Sequence, residues 1–130
     1  MSQHRTPLGR ARGMGSAKSG ATRFIAERVS GAALVILGLW GIAAAMSLRS
    51  AGFDGVSQWL REPVNLTLLS LLAAVSFYHM RLGLCVVVED YIDRPITKAV
   101  LLTANTFVCV AGAALTLVCL FKVAFGGGAS

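Results

Sequence analysis

The sequence predicts an all-α membrane protein with three transmembrane helices, and three observations carry that expectation. Hydrophobic residues make up 55% of the 130 residues and charged residues 14%, where an average soluble domain has roughly 25% charged. The apolar residues are gathered into three long stretches rather than spread along the chain. Val29 to Leu48 and Ala99 to Phe121 hold no charge, and between Val64 and Val88 the basic groups are His79 and Arg81 alone. Each stretch matches the ~20 residues that cross a bilayer's hydrocarbon core. Length allows one domain, and three such stretches in it leave no polar surface to cover a soluble core.

The elements follow in order. Residues 1–22 form a basic tail rich in Gly, Ser and Arg, without hydrophobic periodicity, and are expected to be flexible or ordered by a partner. The tail is poor in acids, which also fits an organellar transit peptide; the apolar run that follows exceeds the about 7–15 residues of a cleaved secretory signal. Residues 23–125 are the expected three-helix anchor, with spans at about 24–48, 64–89 and 97–123, and residues 126–130 a frayed tail. Between spans one and two, "AGFDGVSQWLREP" reads as a short interfacial helix. Asp54 is its candidate N-cap, Phe53, Val56, Trp59 and Leu60 are its apolar anchors, and Pro63 closes it. Spans one and three carry many Gly and Ala residues, which let membrane helices approach closely.

Charge distribution orients the chain. Arg5, Arg10, Arg12, Lys18, Arg23 and Arg28 precede span one, and Arg94 and Lys98 separate spans two and three. Arg49, Arg61 and Lys122 fall to the other side, so eight basic residues stand against three. The positive-inside rule then puts the N-terminus on the cytoplasmic or matrix side and the C-terminus opposite. Topology accounts for the net charge of +6, so the expected surroundings are the lipid bilayer, with no nucleic acid. Cys85, Cys109 and Cys119 lie within the apolar segments and lack metal-site spacing; they read as packing residues.

Span two holds the chemistry. Ionisable groups within a membrane are costly and need a reason. A helix turns ~100° per residue, so the positions four and eleven residues after His79 return to nearly its face. They are Gly83 and Asp90. The stripe thus carries an imidazole, a missing side chain one turn on, and a carboxylate at the water boundary with Tyr91 beside it. An imidazole nitrogen can ligate haem iron axially, and Gly83 leaves room for a flat macrocycle; the alternatives are a hydrogen-bonded core histidine and a helix-packing glycine. Tyr91 is an interfacial anchor, or a phenol that donates to a quinone carbonyl while Asp90 holds it or relays protons. Arg81 turns roughly 200° from His79 and lies off the stripe, to snorkel, to pair with a partner's acid or to meet a propionate. Arg28 and Ser30 at the start of span one face a propionate or quinone oxygen, or else are a positive-inside anchor and a helix-start serine. With His4 in the tail as the other histidine, a bis-histidine haem needs its second ligand from another polypeptide.

"HMRLGLCVVVEDY" resembles the His-x3-Gly-x6-Asp-Tyr signature of the small hydrophobic anchor, the cytochrome b556-type D subunit, of succinate dehydrogenase (respiratory complex II). Three spans, a basic start and "ERVSG" opening span one extend the likeness over most of residues 22–125. The resemblance implies an enzyme subunit without flavin, anchoring a flavoprotein and an iron–sulfur subunit beside a second anchor subunit (C). It implies His79 as axial ligand of a b-type haem shared with that second anchor, with Arg28 near the propionates. It further implies Tyr91 and Asp90 at a ubiquinone-reduction site. Localisation would be an inner membrane, bacterial in preference to mitochondrial. The alternatives are a fumarate-reductase-type or other cytochrome b-like anchor and a non-catalytic membrane scaffold; a transporter lacks the expected polar path through spans one and three.

Overall fold

The computed structural model describes residues 18–126 together with Leu8. The described residues hold no strand. Four helices follow one another along residues 18–125: α1 (Lys18–Leu48), α2 (Gly52–Arg61), α3 (Pro63–Tyr91) and α4 (Pro95–Phe125). Helices α1, α3 and α4 are long and apolar enough to cross a membrane, as the composition predicts. At 31, 29 and 31 residues and ~1.5 Å per residue they outreach a hydrocarbon core of ~30 Å.

The ends of α3 and α4 fall within two residues of expectation, whereas α1 begins at Lys18, inside the stretch expected as tail. The helix runs back from the span through "ATRFIAER", which has neither Pro nor Gly to stop it, and continues across Gly20 to Lys18. Apart from Leu8, the rest of the expected tail, with His4, lies outside the described residues, as do residues 127–130. Pro63 and Pro95 open α3 and α4 at a position where the missing N–H removes no helical hydrogen bond. The residues before them, Glu62 and Arg94, are extended, as proline's ring requires of its predecessor.

Asp54 is not the N-cap of α2. That position belongs to Ala51, which makes no side-chain cap, because Gly52 turns the chain two residues earlier with a φ of +65°. Asp54 instead lies in the first turn, where a carboxylate favours the helix dipole. Val56, Trp59 and Leu60 join an apolar cluster with Leu66, Leu69, Leu120, Val123 and Ala124; Phe53 is exposed. The Trp59 ring stacks on Trp40 of α1 with centroids 5.8 Å apart, and Asn65 Nδ2 donates to Trp59 O at 3.1 Å.

Helix α3 is the middle of the arrangement, packed on one side by α1 and on the other by α4. No described Cα atom of α1 comes within 8 Å of one in α4. The spans therefore form a row rather than a closed bundle. Glycines set the depth of both seams. A Cβ at Gly41 would meet Leu72 Cδ2 at 2.9 Å, and one at Gly112 would meet the Phe77 ring at 2.6 Å. At the N-terminal end of α1, Glu89 ties all three spans. Its carboxylate pairs with Arg23 of α1, and its backbone carbonyl accepts from Lys98 Nζ of α4 at 2.9 Å.

Candidate functional site

The row places the His79 ring in the α1–α3 seam. His79 Nδ1 lies 2.9 Å from Ser30 Oγ, and Ser30 is buried at 6% exposure. Ser30 Oγ also donates to Glu27 O at 3.1 Å. A serine hydroxyl has one proton to give. With that proton on Glu27 O, the contact to His79 is made by the Nδ1–H of the ring donating to Ser30 Oγ. In neutral imidazole the other nitrogen then keeps its lone pair, an assignment that follows from the hydrogen-bond network. Among the described residues Nε2 has no hydrogen-bond partner. Position 31 faces the ring, and a Cβ there would stand 3.4 Å from His79 Cε1, at ordinary contact distance.

The ring borders a pocket of about 350 Å³ lined by Glu27, Arg28, Gly31, Ala32 and His79. Arg28 is exposed, its guanidinium 5.0 Å above the Phe24 ring. Glu27, Ser30 and Gly31 stand at helical spacing on one face of α1, one turn apart, beside this pocket. That face was the sequence signal for Ser30. Of its two readings, the helix-start serine does not hold, since Ser30 sits well inside α1 with a partner 49 residues away.

Gly83, one turn from His79, would have no heavy atom within 4 Å of an added Cβ. Packing within this chain therefore does not require a glycine there. Asp90 and Tyr91 end α3, both exposed, Tyr91 at 80%. Neither side chain has a hydrogen-bond partner among the described residues, so the pair is free to engage something outside the chain.

Arg81 leaves the His79 side, as its angular position predicts. Its Nε donates to Thr106 Oγ1 of α4 at 3.2 Å, a partner not foreseen from sequence. Beside it, Asn105 Nδ2 donates to Arg81 O at 3.0 Å and contacts Cys85 Sγ at 3.5 Å. Cys109 Sγ donates to Asn105 Oδ1 at 3.4 Å. Cys85 and Cys109 are buried, unpaired packing residues, with this one amide between them. Thus α3 presents an imidazole towards α1 and a guanidinium towards α4. Among the described residues no group of three or more His, Cys, Asp or Glu side chains is placed to hold a metal ion.

Comparison with known proteins agrees with this architecture. A family model described as "Succinate dehydrogenase/Fumarate reductase transmembrane subunit" matches residues 2–122. The chain is similar to the succinate dehydrogenase hydrophobic membrane anchor subunit of Rickettsia conorii, 30% identical over 113 residues, covering 86% of this chain and 90% of the relative. The protein of the same description from Rickettsia bellii is 33% identical over 89 residues, covering 68% and 71%. That from Rickettsia felis is 27% identical over 103 residues, covering 79% and 86%. No solved structure matches the chain significantly.

Proposed function

We propose, from the premise that this chain belongs to the succinate dehydrogenase/fumarate reductase transmembrane subunit family, that it is the hydrophobic membrane anchor of a succinate:ubiquinone oxidoreductase. In this reading it holds one face of a b-type haem and forms part of the ubiquinone site. It also seats the flavoprotein and iron–sulfur subunits on an inner membrane. The carrying observation is the state of His79: Nδ1 engaged by Ser30, Nε2 unpartnered, and Arg28 lining the same pocket.

The residues present fit a haem. His79 Nε2 would supply a nitrogen ligand, Gly83 would leave clearance one turn away, and Arg28 would offer a cation suited to a propionate. A haem so held supplies reversible one-electron storage between the iron–sulfur partner and the quinone. A bis-histidine haem would take its second ligand from another polypeptide, since the described residues contain one histidine.

At the end of α3, the Tyr91 phenol donates to a quinone carbonyl, which orients the head group. Asp90 beside it holds a proton at its carboxylate for the same site. Reducing a quinone to a quinol takes up two protons, so the pair belongs at the aqueous boundary, as its exposure allows. The cationic residues before span one and between spans two and three put this boundary on the cytoplasmic or matrix side. There the soluble subunits dock.

Tagging the chain and purifying it in mild detergent tests the reading. The expected companions are a flavoprotein, an iron–sulfur protein and a second small anchor, with a b-type α band on dithionite reduction. His79→Tyr abolishes or greatly perturbs that band; an unchanged spectrum would overturn the ligand assignment.

A further inference from the structure

We infer that Ser30 is a positioning residue for the haem ligand: its hydroxyl, donating to Glu27 O, accepts the Nδ1 proton of His79 and so holds Nε2 unprotonated and aimed for ligation. The inference rests on the haem reading above, and every atom it uses belongs to this chain. Ser30 Oγ stands 3.1 Å from Glu27 O and 2.9 Å from His79 Nδ1. Its burial keeps water from replacing it, and Gly31, the next residue, lies against the same ring.

The device has a direction. Left alone, an imidazole exchanges its proton between two nitrogens, and only the Nδ1–H form offers Nε2 to a metal. An acceptor on Nδ1–H selects that form, fixes the ring about its χ angles and makes the ligating nitrogen more basic. Ser30 is a stronger acceptor because its own proton is already donated, since chained hydrogen bonds polarise one another. A more basic axial nitrogen favours the ferric over the ferrous state. Losing the hydroxyl should raise the haem midpoint potential.

The test uses the purified complex carrying Ser30→Ala or Ser30→Thr. Threonine in a helix can keep both the bond to the preceding turn and the acceptor oxygen. The readouts are haem per complex, the midpoint potential from titration of the α band, and the low-temperature EPR spectrum of the ferric haem. Ser30→Ala is expected to retain haem with a ferrous-to-ferric ratio raised up to about tenfold at fixed poise, about 59 mV for a one-electron couple, and with displaced EPR g-values. Ser30→Thr should restore the wild-type potential and spectrum. Loss of haem in Ser30→Ala with recovery in Ser30→Thr would equally support the hydroxyl. Wild-type potential and g-values in Ser30→Ala, or a Ser30→Thr complex as defective as Ser30→Ala, would overturn the inference. Failure of the haem reading itself looks different: His79→Tyr would then leave the α band unchanged.

Discussion

Arg81 and Thr106 join the second and third spans through a hydrogen bond of 3.2 Å, on the side of α3 that faces away from His79's partner Ser30. The one charged side chain in the middle of α3 is thus bound into the chain's own packing. Asn105, next to Thr106, adds bonds to Arg81 O, Cys85 and Cys109. Hydrogen bonds between membrane helices are worth ~0.6 kcal/mol on average. Thr106→Val should therefore cost about that much. Asn105→Leu, which strips two contacts from the α3–α4 seam and one within α4, should cost roughly 1–2 kcal/mol. Thermal denaturation of the detergent-solubilised complex reads both, and equal effects would contradict the ranking.

Two glycines of the same helical row should respond in opposite ways. A Cβ at Gly112 would lie 2.6 Å from the Phe77 ring, so Gly112→Ala should destabilise the α3–α4 seam by about 1–3 kcal/mol through overpacking. At Gly83 a Cβ meets nothing of this chain. Gly83→Leu should leave the anchor's accumulation in the membrane unchanged and lower the haem bound per complex. Immunoblotting against pyridine haemochrome content separates the two quantities.

Trp59 carries the attachment of α2. It stacks on Trp40 and packs towards Leu60, Leu66 and Ala124. Trp59 is half-buried, so Trp59→Ala should cost about 2 kcal/mol, below the ~3–5 kcal/mol typical of a fully buried aromatic. Trp59→Phe should recover most of the loss. The check is the half-life of the complex at elevated temperature.

Tyr91→Phe removes one hydroxyl from an exposed side chain that bonds nothing in the described structure. Folding should be unaffected. Succinate–quinone activity should fall by about 10-fold or more, the scale of a lost donor at a reacting carbonyl, while dye-linked succinate oxidation persists. Loss of both activities together would point to failed assembly.

The spans were legible because charge-free runs of membrane length have few other uses. Helical phase alone separated Arg81 from the His79 stripe, and the structure sends the two side chains to different neighbours. Other features were hidden for physical reasons. A serine early in an apolar run reads equally as a helix start or as a group facing a ligand, and no local rule connects it to a histidine 49 residues on. Composition made residues 18–22, with Ser19 and Gly20, look like tail, although α1 runs through them and Arg23, next in the helix, is held by Glu89. Asp54 lost its expected place because Gly52 could turn where no other residue turns comfortably.

The open row also bears on the order in which the protein is made. Helix α1 packs on α3 and touches α2, with no backbone approach to α4. Every atom of the Ser30–His79 pair has therefore been synthesised once the ribosome has passed His79, while the third span is still unmade. That hydrogen bond can form on a nascent hairpin of two spans. What comes later, the Arg81–Thr106 seam, closes the opposite side without disturbing it.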